Sequence, residues 1–349
     1  MTPRTGLLVL AASGLLLAGC GGSDSDAPST RKASEKALQT VSGKLRTQLR
    51  GATVVDPAAF PSGKGKTLQE VSDGLTGTGT TLGLASSVFT PGVNRLAFGV
   101  IDGENRYVYA PTVVYTAATP TEPARGPYPA PADLLVTDAP HRSQNAANPK
   151  DLFAAIYAAQ VPFPKPGQYA VLVVSKVGKQ LIGAGVSVKV IARAKGPLVK
   201  VGERAPRVET DTLASVGGDK ALLDTRRPFD DMHGVSFRDA VGKKPVALLF
   251  ATPQLCQSRV CGPVVDVAAQ LKAKYGDRVT FIHQEVYVDN DTKKGLREPL
   301  RAFGLPTEPW LFVVGTDGRV VERLEGSFGL DAFEAALRAA LKREDEGRP

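Results

Sequence analysis

Phe250-Ala-Thr-Pro-Gln-Leu-Cys256-Gln-Ser-Arg-Val-Cys261-Gly-Pro263 is the stretch on which the reading of this chain turns. Two of its 3 cysteines stand here, between an apolar run ending at Ala251 and a Gly-Pro pair suited to a helix start. Their spacing limits what they can do. Five residues along a continuous helix rise about 7.5 Å and turn about 140°, which separates the Cα atoms by about 8–9 Å. A disulfide needs less than about 7 Å. The pair can therefore bridge only if the chain between is at least partly non-helical. Pro263 fits a first helical turn, where its missing N–H has no partner to lose. The helix is therefore expected to start near Gly262-Pro263, with residues 256–261 in the preceding loop. Cys261 would then sit at a helix N-terminus with Arg259 close by, and both features are expected to lower its thiol pKa.

The flanking sequence supplies an α/β pattern. Residues 245–251 read as a buried strand. Residues 263–275 read as a helix, with Val264, Val267, Ala268, Leu271 and Tyr275 on one side. A strand is expected over 278–288, a helix over 293–303 and a strand over 310–314. Thr316-Asp-Gly-Arg319 forms a turn into a return strand at 320–324, and a last helix runs over 330–341. The order is β-α-β-α-β-β-α. Its βαβ part must be parallel with a right-handed crossover, and its final hairpin antiparallel.

These elements resemble the thioredoxin-like superfamily, in particular its extracytoplasmic, membrane-anchored redoxin-type members, over residues 198–345. Val201-Gly-Glu-Arg-Ala-Pro206 looks like the entry of such domains, and Gly242-Lys-Lys-Pro-Val-Ala-Leu-Leu-Phe250 like the strand leading to their active site. Cys261-Gly262-Pro263 matches the first three residues of Cys-Gly-Pro-Cys. Glu308-Pro309 before Trp310-Leu-Phe-Val-Val314 is similar to the cis-proline strand. The resemblance implies that Cys256 and Cys261 are the catalytic thiols of an exchange reaction, with Cys261, at the helix start, the expected nucleophile and Cys256 its resolving partner, that Pro309 faces them, and that no cofactor is needed. Three positions depart from the family pattern. Val264 stands where the resolving cysteine would be, no tryptophan precedes either cysteine, and Leu249 stands where a proton-handling aspartate is usually buried. A structural disulfide in a non-catalytic binding module therefore stays open. So does a copper site with His283 or His233 as third ligand, although the scattered histidines show no metal-ligand spacing. Ser258-Arg-Val-Cys261 also matches a peroxiredoxin element, but Pro253 is one residue out of place for it.

The third cysteine has a different expectation. Arg4 and the apolar run 6–18 end in Leu17-Ala18-Gly19-Cys20, followed by Gly21-Gly-Ser-Asp-Ser-Asp26. This reads as a lipoprotein signal over 1–19, with Cys20 acylated and the protein held on the extracytoplasmic face of the cell membrane. Partners would then be the membrane and exported protein thiols or disulfides, in a compartment where disulfides persist. The net charge of +8 lies entirely upstream of residue 224, since 19 Lys+Arg and 19 Asp+Glu cancel from there on. Export argues against nucleic acid as the partner of that charge. Part of the charge lies in residues 31–50, which read as a basic amphipathic helix with a solvated face; anionic headgroups are a second outlet for it.

Residues 20–80 are otherwise expected to be tether, and Gly65-Lys66 and Gly77-Thr-Gly79 lack the strand and helix of a phosphate loop. Over 81–193 the alternation becomes β, and a separate immunoglobulin-like sandwich is expected. Pro164-Lys-Pro-Gly167-Gln-Tyr169 resembles the tyrosine corner of such sandwiches. Residues 117–150, with seven prolines, read as a long surface loop.

Overall fold

Alternating apolar residues between 81 and 190 build two stacked sheets in the computed structural model, which describes residues 34–41, 43–77, 79–147, 153–192, 198–256 and 259–347. Cys20 and the expected leader lie outside the described residues. The strands are β1 (Thr81–Leu84), β2 (Gly92–Ile101), β3 (Thr112–Ala117), β4 (Arg125–Pro129), β5 (Ala132–Leu134), β6 (Ala155–Phe163), β7 (Gly167–Val177) and β8 (Gln180–Val190). One sheet has the order β1-β2-β6-β5 and the other β4-β3-β7-β8, with every pairing antiparallel. Phe98, Val114, Tyr157, Val171 and Val173 share the core between them. Phe163 on β6 meets Tyr169 on β7 at 5.0 Å between ring centres. The Tyr169 hydroxyl donates to the Lys165 carbonyl at 3.0 Å, fixing the turn into β7.

Residues 117–150 correct the expectation of a surface loop. They contribute β4 and β5, and residues 132–137 are buried. Both strands lie at sheet edges, where a proline forfeits no ladder bond, so Pro127 and Pro129 are tolerated in β4. The amphipathic stretch 31–50 is not one helix. Residues 34–39 form α1, the chain turns, and α2 (Gly43–Ala52) begins at a glycine with φ of 58°. The apolar stripe of Ala37, Leu38, Val41 and Leu49 is buried in the protein's own core. Residues 51–80, expected as tether, hold a 3-10 turn at Pro57–Ala59 and α3 (Leu68–Asp73). A reciprocal cap closes the start of α3: the Glu70 N–H donates to Thr67 Oγ1 at 3.2 Å, and the Thr67 N–H donates to Glu70 Oε2 at 2.7 Å.

Past residue 198 come the short helices α4 (Lys220–Leu223) and α5 (Phe237–Ala240), followed by β9 (Val246–Phe250), α6 (Cys261–Tyr275), β10 (Thr280–Gln284), α7 (Glu298–Phe303), β11 (Trp310–Val314), β12 (Val320–Glu325) and α8 (Leu330–Glu346). The sheet order is β10-β9-β11-β12, with β10 parallel to β9 and β11 antiparallel to both of its neighbours. The two faces of β9 divide the core. Val246, Leu248 and Phe250 pack with Phe237, Phe303 and Phe312, while Ala247, Leu249 and Ala251 join α6 and α8. Two expected elements are shorter than their sequence signals. The strand over 278–288 is only 280–284, and the helix over 293–303 becomes a turn at Thr292–Lys294 followed by α7. Gly295, at φ of 78°, ends the turn, and Pro299 in the first turn of α7 starts the helix afresh.

The sandwich is not separate from this second sheet. The core that holds Phe98 and Tyr157 continues into Val264, Leu271, Phe333 and Leu337. Buried and half-buried polar groups lock the junction. Asp133 on β5 accepts from the N–H groups of Gly329 (2.7 Å), Asp331 (2.9 Å) and Ala332 (3.3 Å), so the sandwich caps α8. Arg95 on β2 donates to the Ser327 carbonyl at 2.9 Å. The Glu325 carboxylate accepts from the N–H groups of Ser87 (2.9 Å) and Val88 (3.0 Å).

One consequence is a pH dependence. Burial and the neighbouring Asp133 charge push the Asp331 carboxyl up to about 7, against the opposing hydrogen bond from Ser34. Its folded pKa therefore exceeds the unfolded value of about 3.9. Between these values the folded state holds a proton that the unfolded state releases, so this group's stabilisation is complete below about pH 4 and fades as pH rises to about 7. Urea unfolding at pH 5 and pH 7.5 should show Asp331→Asn reducing the loss of stability that wild type suffers between them; an unchanged difference would place the titration elsewhere.

Candidate active site

Strand β9 delivers the chain at Ala251 into the cysteine loop. The Cys256 N–H donates to the Thr252 carbonyl at 3.1 Å, and the Arg259 N–H to the Cys256 carbonyl at 3.3 Å. Arg259 then adopts a left-handed φ of 58°, and α6 starts at Cys261 itself. The described parts of the intervening chain are non-helical, which is the condition the spacing imposed. The two cysteines are thiols, close enough that Cys256 adds to the rise of the Cys261 pKa.

The lowered pKa expected for Cys261 does not follow from this placement. Cys261 has 0% exposure, and burial pushes its thiol well above the ordinary value; the neighbouring Cys256 and the charge on its sulfur push it further. The Thr252 N–H opposes them more weakly. Removal of solvent outweighs the helix N-terminus, because a buried thiolate loses hydration that backbone dipoles only partly replace. Cys256 retains 9% exposure and is the less buried residue of the two.

The cover over Cys261 comes from the sandwich side of the molecule. Asn145 donates through Nδ2 to the Pro253 carbonyl at 2.8 Å. A Cβ on Gly262 would lie 2.6 Å from both the Asn145 Cβ and its carbonyl oxygen, so only glycine lets the cover approach so closely. Ser143 donates its N–H to Asp266 of α6 at 3.0 Å, and Arg226 holds the same carboxylate.

Pro309 follows a cis Glu308–Pro309 bond at the start of β11. Burial raises the Glu308 carboxyl, and the Cys256 charge adds to the rise, so this side chain lies within electrostatic reach of the thiols. Tyr287 is raised by burial, then by Glu308 and both cysteines. Glu308, Tyr287 and Val260 line a cleft of about 690 Å³, whose other wall is Leu84, Tyr107 and Phe153 of the sandwich. Beneath the loop lies a carboxylate that the sequence did not single out, Glu285, at 0% exposure. Burial raises its pKa, and His283 and the hydroxyls of Thr225 and Thr252 pull it down.

The histidines are not all scattered, contrary to their sequence reading. His233 and His283 stand 5.1 Å apart between ring centres, together with Asp224 and Asp230. Residues 50 apart in sequence meet because β10 runs beside the loop 224–233: the His283 N–H donates to the Met232 carbonyl at 3.0 Å. Burial lowers the His283 pKa, but Asp230, Asp224 and Glu285 raise it more, to about 10. Among the described residues, neither cysteine belongs to this group of side chains.

No protein-family model matches the chain, and no curated protein matches it. Among solved structures the chain is similar to a putative thiol:disulfide interchange protein DsbE from Chlorobium tepidum, at 18% identity and a TM-score of 0.30, over 41% of this chain and 99% of that one.

Proposed function

We propose that the chain is a thioredoxin-like thiol–disulfide exchange protein acting through Cys256 and Cys261, anchored to the extracytoplasmic membrane face through Cys20, with an immunoglobulin-like sandwich covering the thiols. One observation carries this reading: the Cys261 thiol is fully buried within interaction range of the less buried Cys256, so it keeps its proton and can donate it toward the Cys256 sulfur. A donor of that kind stabilises a thiolate on its partner. Cys256 is therefore the attacking sulfur and Cys261 the resolving one, the reverse of the order suggested by the helix start alone.

The Cys256 thiolate attacks one sulfur of a substrate disulfide. A mixed disulfide forms, and the other substrate sulfur leaves as a thiolate. Cys261 gives up its proton and attacks the Cys256 sulfur. The Cys256–Cys261 disulfide forms and the second substrate sulfur departs, so the substrate gains the two electrons the pair loses. The proton that Cys261 gives up goes to a departing substrate thiolate, so the exchange balances. The cleft beside Glu308 and Pro309 admits an extended peptide segment, and the partners are exported protein thiols or disulfides.

A second reading has its own observation. Zero exposure at Cys261 and the close seat of Asn145 suit a structural pair in a non-catalytic binding module. Alkylation separates the two. In the native reduced protein at pH 8, iodoacetamide followed by peptide mapping should label Cys256 first and Cys261 only on unfolding. Labelling of Cys261 first, or of neither before global unfolding, would contradict the exchange reading.

A further inference from the structure

Behind the cysteine loop, four side chains converge with no role in thiol exchange. Asp224 ends α4, Asp230 and His233 lie in the loop that follows, and His283 projects from β10. One donor atom from each falls within 4.8 Å of all the others. Their side chains are 0–4% exposed.

The orientation of the two rings points to a cation. His283 Nε2 lies 3.1 Å from the Ala251 carbonyl, which can only accept, so that nitrogen carries a proton. Nδ1 is hydrogen-bonded to Asp230 Oδ2 at 2.8 Å and lies 3.9 Å from Asp224 Oδ1, a position that either a proton or a metal cation can fill. An imidazole whose far nitrogen donates to a backbone carbonyl is the usual posture of a metal-bound histidine. His233 is the independent observation. Its Nε2 lies 3.2 Å from Asp230 Oδ1 and 3.8 Å from Asp224 Oδ2, yet neither ring nitrogen has a partner in hydrogen-bond geometry. A buried ring that faces two carboxylates without a hydrogen bond to either is costly unless something stands between them.

The four histidine–aspartate separations, each to the nearer carboxylate oxygen, are 2.8–3.9 Å, and one donor atom from each residue fits within 4.8 Å of the rest; a tetrahedron built from zinc–nitrogen and zinc–oxygen bonds has an edge of about 3.3 Å, so small side-chain shifts close the shell. The carboxylates are already held for the task. Asp224 accepts from the N–H groups of Arg226 (2.7 Å) and Asp230 (2.8 Å), and Asp230 from that of Met232 (2.8 Å). Two imidazoles with two carboxylates suit zinc(II). Calcium and magnesium prefer all-oxygen shells, and copper(I) prefers sulfur.

We propose that Asp224, Asp230, His233 and His283 form a buried tetrahedral zinc(II) site. The ion is structural: four protein ligands leave no open position, and it ties the 224–233 loop to β10 directly under Ala251, from which the cysteine loop springs. The site stands independently of the exchange chemistry.

The full-length protein, stripped with chelator and dialysed against limiting zinc(II), should retain one equivalent. Zinc K-edge absorption should show a shell of nitrogen and oxygen at about 2.0–2.1 Å with imidazole scattering and no sulfur. The Cys256→Ser/Cys261→Ser double variant should keep the equivalent. His233→Gln and His283→Gln should each lose it, and folded wild type should show a zinc-dependent rise in Tm that either variant lacks. Sulfur in the shell, loss of zinc from the double cysteine variant, or no zinc retained by folded wild type would each overturn the site; the last would leave a network filled by protons alone. The absorption spectrum of wild type decides the matter even if a histidine variant does not fold.

Discussion

Cys256→Ser should abolish thiol exchange, while Cys261→Ser should let the first step proceed and stop the second. With Cys256 gone, the remaining sulfur is Cys261, at zero exposure and with its pKa pushed up by burial. It is neither ionised nor reachable, so disulfide reductase activity should fall on the order of a thousandfold or more, as for other nucleophile deletions. With Cys261 gone, Cys256 still attacks, but nothing releases the mixed disulfide. Covalent adducts with substrate should therefore accumulate and dissolve on reduction. Non-reducing electrophoresis with mass spectrometry reads both outcomes. Adducts on the Cys256→Ser variant and none on Cys261→Ser would return the nucleophile to Cys261.

The second large effect is on stability. Arg226→Leu should cost about 3–5 kcal/mol, the usual penalty for leaving half of a buried ion pair. Arg226 and Asp266 have side chains 5% and 1% exposed, joined through Nε at 3.0 Å and Nη2 at 2.9 Å. The same guanidinium donates to the carbonyls of Pro228 (2.7 Å) and His141 (2.8 Å). One side chain thus ties the loop ahead of β9, the first half of α6 and the segment that carries Asn145. Burial already pushes the Asp266 carboxyl up to about 6, with the Ser143 N–H and Arg226 pulling it back. Removing Arg226 strands it. The Arg226→Leu/Asp266→Leu double variant should recover much of the loss, because an apolar pair of similar volume needs no compensation. Arg226→Lys should not, since a single ammonium cannot reproduce the fork. Chemical denaturation measures all three; a cost below about 1 kcal/mol for the single variant would show that water reaches the pair.

The fold was legible where periodicity was local. The continuous apolar run Val246–Phe250, the helical stripe after Pro263 and the Asp317-Gly318 turn correspond to β9, α6 and the β11–β12 hairpin. The Tyr169 hydroxyl bond was legible too, from a six-residue motif. What escaped was long-range. Prolines hid β4 because their meaning depends on whether a strand is an edge, which only the sheet order decides. The Thr67-Leu-Gln-Glu70 capping signal was present and passed over. At the candidate site, the spacing gave a non-helical cysteine loop but misjudged the thiol. Helix position is written in sequence, whereas the cover from Asn145, 116 residues before Cys261, is not. The His233–His283 pair escaped for the same reason, since its members meet only through β10.

The most direct test is the reduction potential of the Cys256–Cys261 pair, measured by equilibration of the full-length protein with glutathione or dithiothreitol buffers and quantified by thiol alkylation. An exchange pair should titrate reversibly with two electrons between about −120 and −270 mV, in the range of working oxidoreductases. A bridge that stays closed below about −300 mV, or thiols that never join, would contradict the account and leave the pair a structural feature of a binding module.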